Sequence, residues 1–286
     1  MLLGWIVILS VLAAAGVGVL RGWFATLACL WQLPLTALGF VLLGLLLAFL
    51  FLLLLASRVD LSQEQQEDSK LYRKTIELYL QSALPVLRWD ITTKGMEKLP
   101  ETGRFFLVCN HVALADPVVL LRVFTGRQVA FISKRENQTM FLVGKLMHKM
   151  LCQPINREND REALKTILKC IQILREDKAS VGVFPEGYIH PDKKLHHFRS
   201  GVFKIATKTQ VPIVVCTLKG TKDAISNLLH FRYTPIEASV LAVIQPEAYA
   251  NLNTTQIAQQ VYDLMAADLG PEEVAQEATA EETAEN

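Results

Sequence analysis

The residues best placed to do chemistry lie in LVCNHVALADP, residues 107–117, where a histidine and an aspartate are five positions apart. A neutral imidazole can take up a proton near pH 7. A carboxylate beside it can fix its tautomer and stabilise its charged form. The pair His111 and Asp116 is therefore a candidate general base with its orienting acid.

Whether the two side chains meet depends on the local fold. A continuous helix would turn them about 140° apart. Asp116 followed by Pro117 is typical of a helix N-cap and first helical position, so His111 should lie in a strand-to-helix turn. Such a turn can fold back so that the carboxylate meets the imidazole. The alternative is a simple capping aspartate and a histidine at the rim of the core.

Two further segments carry polar residues next to apolar strands. In FPEGYIHP, Pro185 and Gly187 flank Glu186 and predict a turn directly after an apolar run. In QPINRENDRE, Arg157 precedes a helix that should start near residue 159 or 160. A guanidinium beside a helix N-terminus suits a phosphate group. The alternatives are a plain turn with a solvated Glu186 and a solvated loop arginine.

Short apolar runs alternate with longer helical patterns from residue 89 onwards, which predicts an α/β fold with a largely parallel sheet flanked by helices. The predicted strands lie within residues 104–110, 128–133, 180–185, 212–218 and 238–245, and the predicted helices within 117–124, 137–151, 161–176, 201–209 and 254–269. Ligands of such sheets bind beyond the carboxyl ends of the strands. The segments VCNH and VFPEG both fall there.

The N-terminal region predicts a two-helix membrane hairpin before this domain. Residues 1–20 contain no charged side chain, and neither do residues 31–57. About 20 apolar residues cross a bilayer core. The start lacks the basic region of a signal peptide. The two segments are therefore expected to span the membrane or to re-enter it as a hairpin. Basic residues after the second segment place residues 58–286 on the cytoplasmic side of the cell membrane.

Composition divides the chain further. We expect membrane helices in residues 1–57, a juxtamembrane helix and lead-in in 58–93, the catalytic domain in 94–270 and a disordered acidic tail in 271–286. The juxtamembrane helix, residues 60–88, is expected to lie on the membrane surface or to pack on the domain. The tail has six glutamates and no basic residue, so its deletion should change neither activity nor membrane binding. Without it, 29 basic and 22 acidic residues remain.

The blocks taken together resemble the glycerolipid acyltransferases, most closely the 1-acylglycerol-3-phosphate O-acyltransferases. The resemblance covers roughly residues 94–219, through NHVALADP, FISKRE, INR, FPEG, FRSGVFKIA and VPIVVC. It implies that His111 and Asp116 are catalytic. It also implies a substrate-binding set of Asn110, Lys134, Arg157, Glu186 and Gly187.

The resemblance implies a membrane-bound enzyme that transfers a fatty acyl group from a thioester to lysophosphatidate, giving phosphatidate. The donor would be acyl-CoA or an acylated acyl carrier protein, with no cofactor and no metal, and the other partners would be membrane lipids rather than nucleic acid. The usual basic residue after the Glu-Gly block is replaced by Ile189, which leaves Arg157 with Lys134 or Arg199 as helpers. The alternatives are another lyso-lipid acceptor or a non-catalytic membrane-anchored lipid-binding protein.

Two rival chemistries use the same segment. Cys109 and His111 are two positions apart in a strand and could form a cysteine nucleophile with its base. His111, Asp116 and His190 could instead bind a metal in a phosphoesterase. The five cysteines are scattered without a CxxC pair, so the sequence suggests neither a disulfide framework nor a zinc site.

Overall fold

Seven strands form one mixed sheet in the computed structural model, which describes residues 2–25, 29 and 31–275. The strands are β1 (Trp89–Lys94), β2 (Phe106–Cys109), β3 (Val129–Lys134), β4 (Gln153–Ile155), β5 (Ser180–Val183), β6 (Ile213–Lys219) and β7 (Thr234–Ile244). Their spatial order is β1-β7-β6-β2-β5-β3-β4. Strands β2 to β6 are parallel, whereas β7 runs antiparallel to β6 and pairs in parallel with β1. The largely parallel sheet predicted from the sequence is confirmed.

Ten α-helices accompany the sheet within the described residues: α1 (Leu2–Leu20), α2 (Gln32–Ser57), α3 (Lys70–Leu87), α4 (Asp116–Val123), α5 (Phe141–Lys149), α6 (Asp160–Arg175), α7 (Lys204–Thr209), α8 (Ala224–Leu229), α9 (Pro246–Tyr249) and α10 (Thr254–Leu269). The predicted helix over residues 137–151 is shorter, because a 3-10 turn occupies Arg135–Thr139. The predicted helix over residues 201–209 likewise begins with a 3-10 turn. The sequence did not predict the edge strands β1 and β4. The first is polar and the second has only three residues.

The alternation of side chains in β2 supplies both faces of the core. Phe106 and Val108 are buried in the cluster beneath α6, α7 and α10, whereas Leu107 and Cys109 are buried in the cluster on the α4 side. Successive residues of a strand point to opposite faces, so a strand that is covered on both faces must be apolar throughout. The chain therefore leaves β2 at Asn110 with its direction fixed by packing on both sides.

The two N-terminal helices, α1 and α2, pack against each other. The inner face of α1 is a stripe of small residues, Ser10, Ala14 and Gly18, which lets the helix backbones approach closely. Most side chains of α2 are accessible, and only Ala56 is buried. With 19 and 26 residues, both helices are long and apolar enough to cross a bilayer by length and composition.

Helix α3 joins this apolar pair to the sheet domain. The Tyr79 hydroxyl donates to the Ala48 carbonyl of α2 (2.7 Å), and the Leu2 amide of α1 donates to the Ser82 hydroxyl (2.9 Å). On the domain side, Arg73 forms a buried ion pair with Asp68 (2.6 Å) and also donates to the Val129 carbonyl of β3. The helix therefore packs on the domain and on the apolar helices together. The prediction that it begins near residue 60 was wrong: residues 59–69 form turns and extended chain.

The start of the acidic tail is ordered, so the prediction of a disordered tail over residues 271–286 was wrong for residues 271–275. The Leu195 amide donates to the Glu273 carbonyl (2.8 Å), and the Ala275 amide donates to the Leu195 carbonyl (3.0 Å). Glu273 also pairs with Lys222. Residues 276–286 lie outside the described residues. Val274 also packs against the hydrophobic core. The acidic composition did not reveal this packing, because it rests on one apolar side chain, two backbone hydrogen bonds and one ion pair.

This packing predicts different effects for two truncations. Deleting residues 276–286 should leave the melting temperature and the activity unchanged. Deleting residues 271–286 removes two backbone hydrogen bonds and an ion pair, which together contribute about 1–3 kcal/mol, so Tm should fall by several degrees. Thermal unfolding of the purified protein in detergent measures both variants. Equal melting temperatures for the two truncations would show that residues 271–275 contribute nothing.

Candidate active site

The turn after β2 folds back on itself around one carboxylate oxygen. Asp116 Oδ2 accepts a hydrogen bond from His111 Nδ1 (2.9 Å) and from the backbone amides of Val112 (2.7 Å) and Ala113 (2.8 Å). The predicted meeting of imidazole and carboxylate is therefore present. The predicted N-cap is not: Ala115 holds that position, and α4 begins at Asp116. The carboxylate points back to the turn instead of forward into the helix.

These contacts determine which nitrogen of His111 is available. A carboxylate can only accept, so Nδ1 carries the proton and Nε2 presents its lone pair. No hydrogen-bond partner for Nε2 is found among the described residues. The ring also stacks on Phe184 (centroids 4.2 Å apart), and the side chain is 15% exposed. An oriented imidazole with a free nitrogen at a cleft is the geometry of a general base. The sequence pattern gave no indication of the contact with Phe184.

Glu186 connects this turn to the loop after β5. Its Oε1 accepts from the His111 amide (2.7 Å) and its Oε2 from the His196 amide (3.1 Å). Burial raises the pKa of Glu186 to about 8, despite these two hydrogen bonds, and the nearby charge of Asp116 adds to the rise. Glu186 was predicted to contact substrate. Its side chain instead holds the two loops together and does not line the cleft in front of His111.

Asn110 was also predicted to bind substrate, but its amide is used within the protein. Its Oδ1 accepts from the Leu218 amide (2.8 Å), and its Nδ2 donates to the Leu218 carbonyl (3.0 Å). The residue is buried and ties the carboxyl end of β2 to that of β6. Like Glu186, it positions the backbone at His111 and does not line the cleft. Sequence reasoning could place both residues near the site but not determine where their side chains point.

The cleft in front of His111 has a volume of about 970 Å³ and a cationic end. Arg157, Arg199 and Lys134 all line it. Among the described residues, neither guanidinium has an ion-pair partner, whereas Lys134 pairs with Glu136 at the exposed edge (3.1 Å). Burial lowers the pKa of Arg157, and the like charge of Arg199 lowers it further. The charge of Glu136 opposes this fall, but Glu136 makes no direct ion pair with Arg157. Two neighbouring guanidinium groups without a direct ion-pair partner among the described residues are suited to bind an anion.

Gly187 makes room for this cationic end. Its φ of +93° lies in the left-handed region, which favours glycine, and its amide donates to the Phe184 carbonyl. A Cβ at this position would lie 3.1 Å from Arg199 Nε. Of the predicted substrate-binding residues, Lys134, Arg157 and Gly187 line the cleft. Arg199 lines it too, although the sequence indicated this arginine only as a possible helper.

The rest of the cleft is apolar. Its walls come from α4, α5, α6 and the strands between them, and include Val118, Leu121, Met140, Val143, Met147, Met150, Ile155, Leu164 and Ile167. The flexible methionine side chains fill irregular space and adapt to different occupants. The cleft therefore offers a base, an anion site and an apolar region within one connected space.

Comparison with known proteins shows what this region of the chain is similar to. A model of the acyltransferase family matches residues 90–219, which include every residue of the base and of the anion site. Residues 90–219 are therefore similar to the acyltransferase family over a little less than half of the chain. The family description names acyl transfer without naming the acceptor.

Relatives of the matched region carry more specific names. The chloroplastic 1-acyl-sn-glycerol-3-phosphate acyltransferase of Brassica napus is 35% identical over 141 residues, covering 49% of this chain and 40% of that protein. The enzyme of the same name in Chlamydomonas reinhardtii is 30% identical over 192 residues, covering 64% and 54%. The matched region spans about half the length of these curated relatives. The crystal structure of the 1-acyl-sn-glycerophosphate acyltransferase of Thermotoga maritima shares the fold, with a TM-score of 0.59 and 22% identity over 77% of this chain and 86% of that one.

The two rival chemistries find no support in the geometry of the sheet domain. The Cys109 thiol is fully buried, and burial raises its pKa well above the ordinary value, which disfavours a thiolate nucleophile. In the part of the chain that the structure describes, no three His, Cys, Asp or Glu side chains are grouped as metal ligands.

The raised pKa of Glu186 predicts a pH dependence of stability. The folded value of about 8 lies above the ordinary value of 4.5, so between these pH values the folded protein binds more protons at this group than the unfolded chain does. Its contribution is therefore fully present below pH 4.5 and is lost as the pH rises towards 8. Glu186→Gln removes the titration but also places an NH₂ group against one of the two backbone amides. The variant should be less stable than the wild type at low pH. Because only the wild type loses stability at this group as the pH rises, the difference in Tm between the two proteins should shrink towards pH 8. A difference independent of pH would contradict the buried, protonatable carboxyl group.

Proposed function

We propose that this protein is an acyltransferase that moves a fatty acyl group from a thioester to the free hydroxyl of lysophosphatidate, giving phosphatidate at a membrane. The observation that carries the proposal is the cleft itself. One space joins the oriented Nε2 of His111 to the unpaired guanidinium groups of Arg157 and Arg199 and to an apolar region. A lysophosphatidate molecule needs all three, because it presents a hydroxyl, a phosphate monoester and a hydrocarbon chain.

In the proposed mechanism, Nε2 of His111 takes the proton of the acceptor hydroxyl as its oxygen attacks the thioester carbonyl carbon. The C–O bond forms, the C–S bond breaks, and the departing thiolate receives the proton from the imidazolium. The carboxylate of Asp116 stabilises the imidazolium between these two steps. General-base help of this kind accelerates a reaction about 10²–10⁴-fold. The proposal involves no covalent acyl-enzyme.

Arg157 and Arg199 would hold the phosphate. Charge-assisted hydrogen bonds to phosphate contribute on the order of 1.5–3 kcal/mol each. Ile189 lines the cleft where the resemblance predicts a basic residue, so one such contact is missing. We therefore expect a high KM for lysophosphatidate. The same substitution favours a neutral lyso-lipid as the second candidate acceptor, because it makes this wall of the cleft apolar.

The apolar helices α1 and α2 would keep the cleft at the bilayer surface, with the acyltransferase domain on the cytoplasmic side. The donor would be acyl-CoA or an acylated acyl carrier protein, either of which reaches the cleft from water. An assay of the purified protein with each labelled donor, against lysophosphatidate, neutral lyso-lipids and glycerol 3-phosphate, tests donor and acceptor together. Product from none of these acceptors would contradict the proposed function.

The role of the His111–Asp116 pair predicts the behaviour of two variants. His111→Ala should lower kcat at least a hundredfold because it removes the base. It also removes a hydrogen bond to the buried carboxylate of Asp116 and the stack on Phe184, so Tm should fall by a few degrees while the protein stays folded. Asp116→Asn can still accept from the amides of Val112 and Ala113 but lacks the charge that stabilises the imidazolium. It should therefore also lose most of its activity. Steady-state rates and thermal unfolding test both variants, and near wild-type turnover of Asp116→Asn would restrict that residue to a structural role.

The anion site predicts a change in KM. Arg157→Ala should raise KM for lysophosphatidate about 10–100-fold and change kcat less, because phosphate binding is similar in ground and transition states. Arg157→Lys keeps the charge and should lie between wild type and Arg157→Ala. A neutral lyso-lipid is the control, since its KM should not respond. An unchanged KM for lysophosphatidate would remove Arg157 from the phosphate site.

A further inference from the structure

We propose that the connection between β6 and β7 is a second membrane-contact surface, separate from the apolar helices α1 and α2. The surface consists of Leu229, Phe231 and Tyr233 from this connection and Val86 from the end of α3, and is called the β6–β7 patch below. Each of these side chains is more than half exposed, and Phe231 is 80% exposed. Exposed apolar side chains grouped in this way mark an interaction surface.

Phe231 occupies a position that normally belongs to glycine. Its amide donates to the Leu228 carbonyl, and the Arg232 amide donates to the Asn227 carbonyl, which is the hydrogen-bond pattern of a Schellman motif after α8. The φ of Phe231 is +55°, in the left-handed region. A bulky side chain is unfavourable there. Within the described residues, the ring gains little packing in return, so the protein alone gives no reason for a phenylalanine at this position.

Arg88, at the end of α3, connects α3 to the aromatic residues of the patch. Its guanidinium lies over the ring of Tyr233 (4.9 Å from the centroid) and donates to the Phe231 carbonyl. Arg88 is itself the C-cap of α3, and its carbonyl accepts from the Thr234 amide at the start of β7. Aromatic rings beside arginine are typical of the zone between lipid headgroups and hydrocarbon.

The position of α3 identifies a lipid bilayer as the occupant. The Tyr72 hydroxyl donates to the Leu55 carbonyl, and the Tyr79 hydroxyl donates to the Ala48 carbonyl. Helix α3 therefore runs antiparallel to α2, from the C-terminal end of α2 towards its middle. Ser82 then meets the first turn of α1 through the Leu2 amide. Arg88 lies only six residues further on, about 9 Å along a helix. The β6–β7 patch therefore lies within about 9 Å of the level at which the apolar helix α1 begins, where a bilayer surface would lie.

The sheet topology places this patch on the same edge as the active site. Strand β7 is antiparallel to β6, so its first residue lies at the edge where β2, β3, β5 and β6 end. His111 follows β2 at that edge. A contact between the patch and the bilayer would turn the cleft towards the lipid surface. This inference rests on α1 and α2 lying in a membrane and not on the identity of the acceptor.

The test uses the full chain in vesicles of phosphatidylcholine and phosphatidylglycerol. An environment-sensitive fluorophore is attached to Phe231→Cys or Leu229→Cys in a Cys29→Ser background, since the other four cysteines are buried. Thr102→Cys is the matched control: it is exposed and precedes β2, at the opposite edge of the sheet. Labels at 229 and 231 should be quenched several-fold more by lipids with a doxyl group near the headgroup, and several-fold less by iodide, than the label at 102.

Two results would overturn the proposal. Equal iodide quenching at 231 and 102 would show that the patch faces water. Protection from iodide without quenching by doxyl lipid would show that protein, such as a second copy of the chain, covers it. Phe231→Gly controls for perturbation by the label, because glycine suits this left-handed position and preserves the fold. In that variant, iodide quenching of the label at 229 should rise. None of these measurements requires turnover, so they stand apart from the test of acyl transfer.

Discussion

The active site depends on the burial of one carboxylate, that of Asp116. A single oxygen accepts three hydrogen bonds, two from the backbone of the turn and one from the imidazole of His111. The two backbone bonds fix the turn, and the fixed turn holds the imidazole against the carboxylate. Removing such a charge from water is costly, and all of the compensation falls on this one oxygen, since Oδ1 is buried without a hydrogen-bond partner among the described residues. The conformation of the loop and the tautomer of the base therefore have the same physical cause.

A second buried acidic group, Glu186, connects this turn to the loop that follows the neighbouring strand β5. Its two oxygens bridge the amides of His111 and His196, which belong to different loops. Asp116 is close enough for its charge to raise the pKa of Glu186. Two acidic groups at one sheet edge repel when both are ionised, so backbone amides are needed to compensate them. The cationic residues Arg157 and Arg199 do not pair with either acid, which leaves them available for an anion from outside.

The connection between the apolar helices and the sheet domain is made by α3. Hydroxyl groups on one side of it meet backbone carbonyls of α2, and the buried pair Arg73–Asp68 holds the other side to β3. A buried ion pair adds little net stability, but loss of one partner is strongly destabilising. The pair therefore favours one position of α3 along β3 over others. Helix α3 thus sets the height of the cleft relative to the apolar helices.

The sequence by itself determined the class of fold, the two apolar helices and the position of the base. Strand and helix periods are local properties, and parallel strands must bring residues such as His111 and Arg157 to one edge. Only the tertiary structure decided which polar side chains face the cleft. Asn110 and Glu186 follow strand ends just as Arg157 does, yet they turn inward, because the backbone amides that need an acceptor come from distant segments. The same reason explains the packing of residues 271–275 on Leu195: its hydrogen bonds join chain positions about 80 residues apart, which no local pattern records.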